Sequence, residues 1–148
     1  MPLPYVGIAE GDGVVATAWG TLQVAVSSAV TLRGTVTVDA ATLATKQTAY
    51  DDALAAWVAD GSPGSGATFD AKVQAFAELG SAQGDYDADS ATLVTKESDL
   101  MSERKAFARA VANYALILGE AQDYAPSTHV ARIYELVKAV AFGIAPTF

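Results

Sequence analysis

Apolar side chains recur every seven residues in two separate stretches of the chain. In the first stretch the interval joins Leu43, Tyr50 and Trp57. In the second it joins Leu93, Leu100, Phe107 and Tyr114. Because two turns of an α-helix contain about 7.2 residues, this interval keeps side chains on one helical face. The pattern predicts two amphipathic helices, over 39–60 and about 89–119.

Capping residues and glycines mark where these helices begin and end. Asp39 is a good N-cap for the first helix, and Asp89 stands at the same place in the second. The segment 61–66 (GSPGSG) has turn chemistry that ends the first helix. Three further elements are predicted: a helix at about 69–79 closed by Gly80, a polar connection at 81–88, and a final helix at about 128–142 stopped by Gly143.

The first 38 residues carry a less uniform pattern. Residues 1–13 (MPLPYVGIAEGDG) contain two prolines and three glycines, which predicts an extended arm. Apolar and polar residues alternate within 21–38, as in a short β segment, whereas helical spacing also suits 14–30. An isolated pair of strands has no sheet to join. We therefore expect helix over 14–30 and an extended stretch at 34–38, with the β segment as the alternative.

Together these elements predict a mainly α fold, a long antiparallel helical hairpin or bundle with an extended N-terminal arm. The expected division is an assembly arm at 1–38, a helical bundle domain at 39–143 and an apolar C-terminal tail at 144–148. The residues expected in the core or in subunit interfaces are Trp19, Leu22, Val26, Leu43, Tyr50, Leu54, Trp57, Leu93, Leu100, Phe107, Val111, Tyr114 and Leu118.

The start of the second long helix repeats the start of the first. Residues 39–46 (DAATLATK) recur as 89–96 (DSATLVTK), with six of eight positions identical at an offset of fifty. Internal duplication explains the repeat, and so does the similarity that capping and periodicity impose on any two amphipathic helices. Under either explanation, two matched apolar stripes are able to bury each other in an antiparallel hairpin.

Composition and charge narrow the classes of function. The chain of 148 residues is 51% apolar, which predicts a packed core, and it has no cysteine for disulfides or zinc. A net charge of −8 repels phosphate, so neither sequence-specific nucleic-acid binding nor an anionic membrane surface is expected. The uncharged stretch 14–32 is interrupted by Thr, Ser and Gln, and we expect it to pack against protein rather than span a membrane.

The tightest basic group is Arg104, Lys105 and Arg109, which we expect to form a solvated face pairing with Glu103. The group is too small and the chain too acidic for a phosphate-binding patch to be the better interpretation.

Three carboxylates are the only candidate metal ligands. Asp85, Asp87 and Asp89 occupy positions 1, 3 and 5 of a calcium-binding loop. Position 6, which needs glycine, is Ser90, and position 12, which needs a bidentate acid, is Lys96. The metal site is therefore a weak candidate, and no cofactor is expected.

The single histidine, His129, has no recognised nucleophile setting beside it. We expect a surface or interface role for this side chain, and no enzymatic activity for the protein.

In composition and organisation the chain resembles structural proteins of tailed-bacteriophage virions. These proteins too are often rich in Ala, Thr, Val and Gly, free of cysteine, acidic and furnished with docking arms. The resemblance rests on MPLPYVGIAEGDG as the arm and on the helix starts ATLATK and ATLVTK. It implies a non-enzymatic subunit of a symmetric assembly: a head–tail adaptor or neck subunit, a decoration protein or a tail-accessory protein.

The resemblance also implies partners and a location. The partners would be further copies of the chain and other structural proteins, and the location would be the virion, assembled in the host cytoplasm. Two alternatives stay open: a cellular helical module that binds a partner peptide between its long helices, and a small metal protein or enzyme.

Overall fold

The computed structural model describes residues 4–121 and 126–147, with side chains described for 11–118, 131–140 and 142–147. Three helices make up the fold: α1 (Pro4–Ala59), α2 (Ala67–Ala121) and α3 (Pro126–Phe142). The fold is mainly α with a helical hairpin, as the periodicity predicts. Within the described residues there is no strand, so the alternative β segment at 21–38 is wrong.

The chain forms two compact units, and both long helices contribute to each. Unit 1 comprises Met1–Ser27 and Ser98–Phe148, and unit 2 comprises Ser28–Glu97. In both units the less exposed residues of α1 and α2 alternate at intervals of three and four, which is the heptad pattern of an antiparallel coiled coil. We call these inward positions the seam.

Unit 1 contains most of the buried side chains. Its seam is covered on one side by α3, which contributes Leu136 and Ala139 to the core. Trp19 lies beside the seam with its ring centroid 5.3 Å from that of Phe107. The other buried residues of this unit are Val15, Leu22, Leu100, Ala110, Tyr114 and Leu118.

Unit 2 is a two-helix hairpin. Its described hydrophobic residues that are fully buried are two alanines, Ala29 and Ala82, while its larger seam side chains stay half-buried. Residues 60–66 join the helices. The N–H of Ser62 donates to the carbonyl of Trp57 (2.9 Å) and that of Gly61 to the carbonyl of Val58 (3.1 Å). This pair of bonds is a Schellman cap, so the predicted turn is confirmed.

The extended arm predicted for 1–13 is wrong from Pro4 onward, because α1 begins there. Proline is compatible with the first turn of a helix, where its missing N–H has no intrahelical partner. Gly11 is buried at a seam position, so its lack of a side chain serves close packing rather than chain flexibility.

The extended stretch predicted at 34–38 is wrong as well. Leu32 and Val36 lie in the seam, and burying them favours helix over the local preference of β-branched residues for strands. Thr35 and Thr37 donate their hydroxyl hydrogen bonds to the carbonyls four residues earlier, which satisfies these polar groups without leaving the helix.

The polar connection predicted at 81–88 is wrong, because α2 runs through it without a break. Ala82 and Tyr86 continue the seam spacing across this segment, and Gly80 does not end the helix. Asp39 and Asp89 are consequently not N-caps. Both lie in the middle of helices that begin far upstream.

Candidate functional site

The residues predicted as core or interface line the two units and form no cleft with catalytic groups. Eight of them occupy seam positions: Leu22, Leu43, Tyr50, Trp57, Leu93, Leu100, Phe107 and Tyr114. The other five lie immediately beside the seam: Trp19, Val26, Leu54, Val111 and Leu118. All of them are buried or half-buried, so their described role is packing within the chain.

A polar cluster in unit 1 ties the three helices together. The Tyr114 hydroxyl on α2 donates a hydrogen bond to the carboxylate of Asp12 on α1. Arg132 on α3 forms an ion pair with the same carboxylate at 2.9 Å. Burial of the Tyr114 ring, followed by the adjacent negative charge, raises the pKa of its hydroxyl above the ordinary value, so it stays a donor at neutral pH. The cluster orients α3 on the hairpin.

A second polar cluster lies within the seam of unit 2. Asp39 of α1 and Asp89 of α2 share a hydrogen bond, and the charge of Asp85 acts on the same carboxyl group. Burial raises the pKa of Asp39, and the hydrogen bond and negative charge raise it further. The repeated residues found at an offset of fifty therefore meet face to face.

Ion pairs flank this cluster within unit 2. Lys46, also at a seam position, pairs with Glu78 at 2.7 Å, and Arg33 pairs with Glu97 at 2.8 Å. The hydrogen bond from Lys46 lowers the pKa of Glu78. Polar residues at seam positions specify the register of a coiled coil, because any shift leaves them without partners.

The candidate calcium ligands do not converge. Asp85, Asp87 and Asp89 lie on helix α2 rather than in a loop, and Asp87 is exposed, accepting a hydrogen bond from Gln83. Within the described residues no three histidine or acidic side chains gather as metal ligands. The side chain of His129 lies outside the described residues.

Unit 2 exposes a group of large apolar side chains near the connection between its helices. Tyr50 contacts the Phe76 ring at a centroid distance of 5.6 Å, yet Phe76 remains 63% exposed. Val58 and Val73 are about half exposed or more. We call this group the tip surface; it comprises the exposed Val58, Val73 and Phe76 and, beside them, the half-buried Leu54 and Phe69.

The tip surface occupies the same heptad positions that α3 covers in unit 1. Leu54 lies five heptads after Trp19, and Phe76 lies five heptads before Val111. In unit 1, Trp19 and Val111 line apolar grooves whose opposite walls come from α3. Within the described part of unit 2, no helix lies over the equivalent positions.

Helix α3 exposes apolar side chains of its own. Tyr134, Val137 and Val140 are each more than half exposed, and we call them the α3 surface. Val137 and Val140 also form one wall of an apolar groove of about 300 Å³ against Val111 and Ala115 of α2. These two exposed apolar residues of α3 therefore lie at the rim of this groove.

The basic group on α2 does not pair as predicted. In the described part of the chain, Arg104, Lys105 and Arg109 form no ion pair, and Glu103 lies at a seam position instead. Arg104 lines a groove of about 400 Å³ together with Trp19 and Val140. Among the described side chains of unit 1, Arg104 is therefore a cation without an ion pair beside the exposed Val140.

Sequence reasoning missed the two polar clusters and the tip surface. The signal was present, since the heptad spacing of Leu43, Tyr50 and Trp57 extends back through Val36 and Leu22 to Val15. Following it would have placed Asp39 and Lys46 in the seam. The spacing of Leu100 and Leu93, extended back through Tyr86, would likewise have shown that Phe76 lies beside the seam.

By length and composition, the Gly11–Ala59 part of α1 is long and apolar enough to cross a membrane, with a mean hydropathy of 1.3 over its most apolar stretch. The core helices of soluble proteins and signal sequences reach the same length and apolar character. Within that region Val15 and Leu22 are buried against the rest of unit 1, so the apolar character is used at least in part for packing.

Comparisons with models of protein families, with curated proteins and with solved structures find no match to this chain.

Proposed function

We propose that the protein is a non-enzymatic structural subunit of a larger symmetric assembly and acts through packing between subunits. The observation that carries the proposal is the extent of apolar side chain left exposed by the described fold. Large apolar residues are exposed on α1, α2 and α3, and on α3 they include Val137 and Val140, which lie beside the buried Leu136. Contiguous exposed apolar groups are typical of interaction surfaces.

The compositional resemblance supports a more specific form of this proposal. A tailed-phage virion component would be acidic, cysteine-free and rich in small and β-branched residues, as this chain is. Within that class the long helices suit a head–tail adaptor or neck subunit, and a decoration or tail-accessory protein is the next choice. Its partners would be further copies and neighbouring structural proteins of the virion.

The mass of the native particle over a wide concentration range tests the proposal. We expect sedimentation equilibrium or light scattering to show oligomers of defined stoichiometry at high concentration. A protein that stays monomeric at every concentration would contradict homo-oligomeric assembly.

The groove of about 300 Å³ between α2 and α3 favours a second candidate function, that of a helical protein-binding module. Its described lining is entirely apolar, including Ile133 and Leu136, and would accept an apolar side chain of a peptide. This candidate predicts a monomer at all concentrations, with Leu136 and Val111 perturbed on binding. The same mass measurement therefore separates the two functions.

A further inference from the structure

The tip surface and the α3 surface are both apolar and exposed in part, with the Lys72 ammonium over the Phe69 ring and that of Lys138 over the Tyr134 ring. In unit 1 the positions that flank the seam pack beside a helix, α3, whereas the equivalent positions in unit 2 do not. Leu54, Phe69 and Phe76 thus form an apolar surface of the kind that the apolar face of an amphipathic helix packs against. The chain itself carries a helix with a spare apolar side, through Tyr134 and Val137.

Apart from Lys72, which lies over the Phe69 ring, and the Glu135–Lys138 ion pair, the exposed charges compared next for the two surfaces are opposite in sign. Asp51 and Asp70 are exposed beside the tip surface, and neither pairs with a cation in the described part of the chain. Arg104, which lines a groove together with Val140 of α3, and Arg109, further along α2, are exposed and have no ion pair there either. Complementary charge at two apolar surfaces favours their association over the association of either surface with itself.

We propose that the tip surface of one copy packs against the α3 surface of a second copy, with Asp51 and Asp70 facing Arg104 and Arg109. This contact rests on the proposed function and names its partner, a second copy of the chain. Because the two surfaces differ, the contact is head-to-tail. A pair of bound copies therefore keeps one free tip surface and one free α3 surface, to which further copies bind. Repetition produces a closed ring or an open filament, depending on the rotation between copies.

Charge reversal on each side tests the contact. One variant carries Arg104→Glu and Arg109→Glu, and the other carries Asp51→Lys and Asp70→Lys. All four residues are exposed, so both variants should keep the helical circular dichroism of the wild type. Asp87→Lys is the control, since it reverses a charge on an exposed residue of unit 2 outside the tip surface.

We expect each double variant alone to self-associate at least about tenfold more weakly than the wild type, because like charges then face each other across the contact. An equimolar mixture should recover the wild-type mass, since the Glu residues of one variant face the Lys residues of the other. The Asp87→Lys control should assemble as the wild type does.

The outcomes separate this contact from the proposed function. If the wild type assembles but either double variant assembles equally well, or if the mixture does not recover, the head-to-tail contact is wrong while assembly stands. A variant that loses its helical signal is replaced by the milder Arg104→Gln or Asp51→Asn, which should weaken association in the same direction. A wild type that is monomeric at all concentrations removes both proposals.

Discussion

The ring of Tyr114 on α2 lies directly against the backbone of Gly11 on α1, where any larger residue would overlap it. One residue further along α1, Asp12 accepts the hydrogen bond of the same tyrosine. The close approach of the two helices therefore depends on a residue without a side chain, at a place where the sequence suggests a flexible arm.

Gly11→Ala should destabilise the protein by about 1–3 kcal/mol, because the added methyl group must displace the Tyr114 ring. Gly13→Ala is the matched control, since space around residue 13 is open and alanine is the better helix former. The control should stabilise by about 0.5–1 kcal/mol. Urea unfolding followed by circular dichroism measures both. Equal effects of the same sign would show that α1 and α2 do not meet at Gly11.

Phe107→Ala should cost about 3–5 kcal/mol, because Phe107 is only 6% exposed and its ring packs at a tilt against that of Trp19. Trp57→Ala should cost less, since Trp57 is half-buried, although it loses the hydrogen bond from its indole N–H to the carbonyl of Pro63. Val24→Ala, at a residue 70% exposed, should change stability by less than about 0.5 kcal/mol. Thermal and urea unfolding of the three variants measure these losses of stability. A smaller loss for Phe107→Ala than for Val24→Ala would contradict the placement of Phe107 in the seam.

The carboxyl pair in unit 2 should make stability fall as pH rises. The folded pKa of Asp39 lies above its unfolded value, so the folded state binds the proton more tightly. Stability is unaffected below the unfolded pKa and decreases as pH passes through the raised folded pKa. Asp39→Asn removes the titrating group, so the variant should gain stability over the wild type with increasing pH.

The measurement is a series of urea unfolding curves over the acidic to neutral range. Asp87→Asn serves as the control, because Asp87 is exposed and outside the seam. Its stability difference from the wild type should stay constant across the series. A constant difference for Asp39→Asn too would mean that the pKa of Asp39 is not raised in the folded protein.

The residues after α3 should respond to pH in the opposite direction. Glu135 pairs with Lys138 at 2.7 Å and accepts two hydrogen bonds from Thr147, which lower its pKa to about 2. The contribution of this carboxylate to stability is therefore present above its unfolded pKa and is lost as pH falls towards 2.

Glu135→Gln should release Thr147 at neutral pH, because the neutral amide keeps neither the ion pair nor the charge-assisted hydrogen bonds. Faster exchange of the Thr147 amide hydrogen, measured by NMR, would report this release. Thr147→Val is the control, since it loses the hydroxyl but keeps the backbone N–H bond, and it should exchange more slowly than Glu135→Gln. Unchanged exchange in Glu135→Gln would contradict the anchoring role of Glu135.

The helical hairpin was predictable because the spacing of side chains along a helix is a local property of the chain. One apolar face consists of Leu43, Tyr50 and Trp57. The other consists of Leu93, Leu100 and Phe107. The turn was predictable for the same reason, since Gly61 takes a positive φ of 85° that other residues rarely adopt.

The extent of the helices was not predictable from local preferences. Glycine and β-branched residues at 4–38 and 80–86 disfavour helix by small amounts per residue, and these amounts are outweighed when seam residues such as Val36 and Tyr86 are buried against the facing helix. That burial depends on which residues of α1 and α2 face each other, and local preferences do not specify this pairing.

By itself, then, the sequence determined that the chain forms two amphipathic helices with a turn between them, because periodicity and turn chemistry act over a few residues. Only the tertiary structure decided that Asp39 lies against Asp89 and that Tyr114 packs against Gly11. It also decided that no helix covers the tip surface in the described part of unit 2. These features arise from contacts between residues far apart in the chain, and pairwise register is set only when both helices are present.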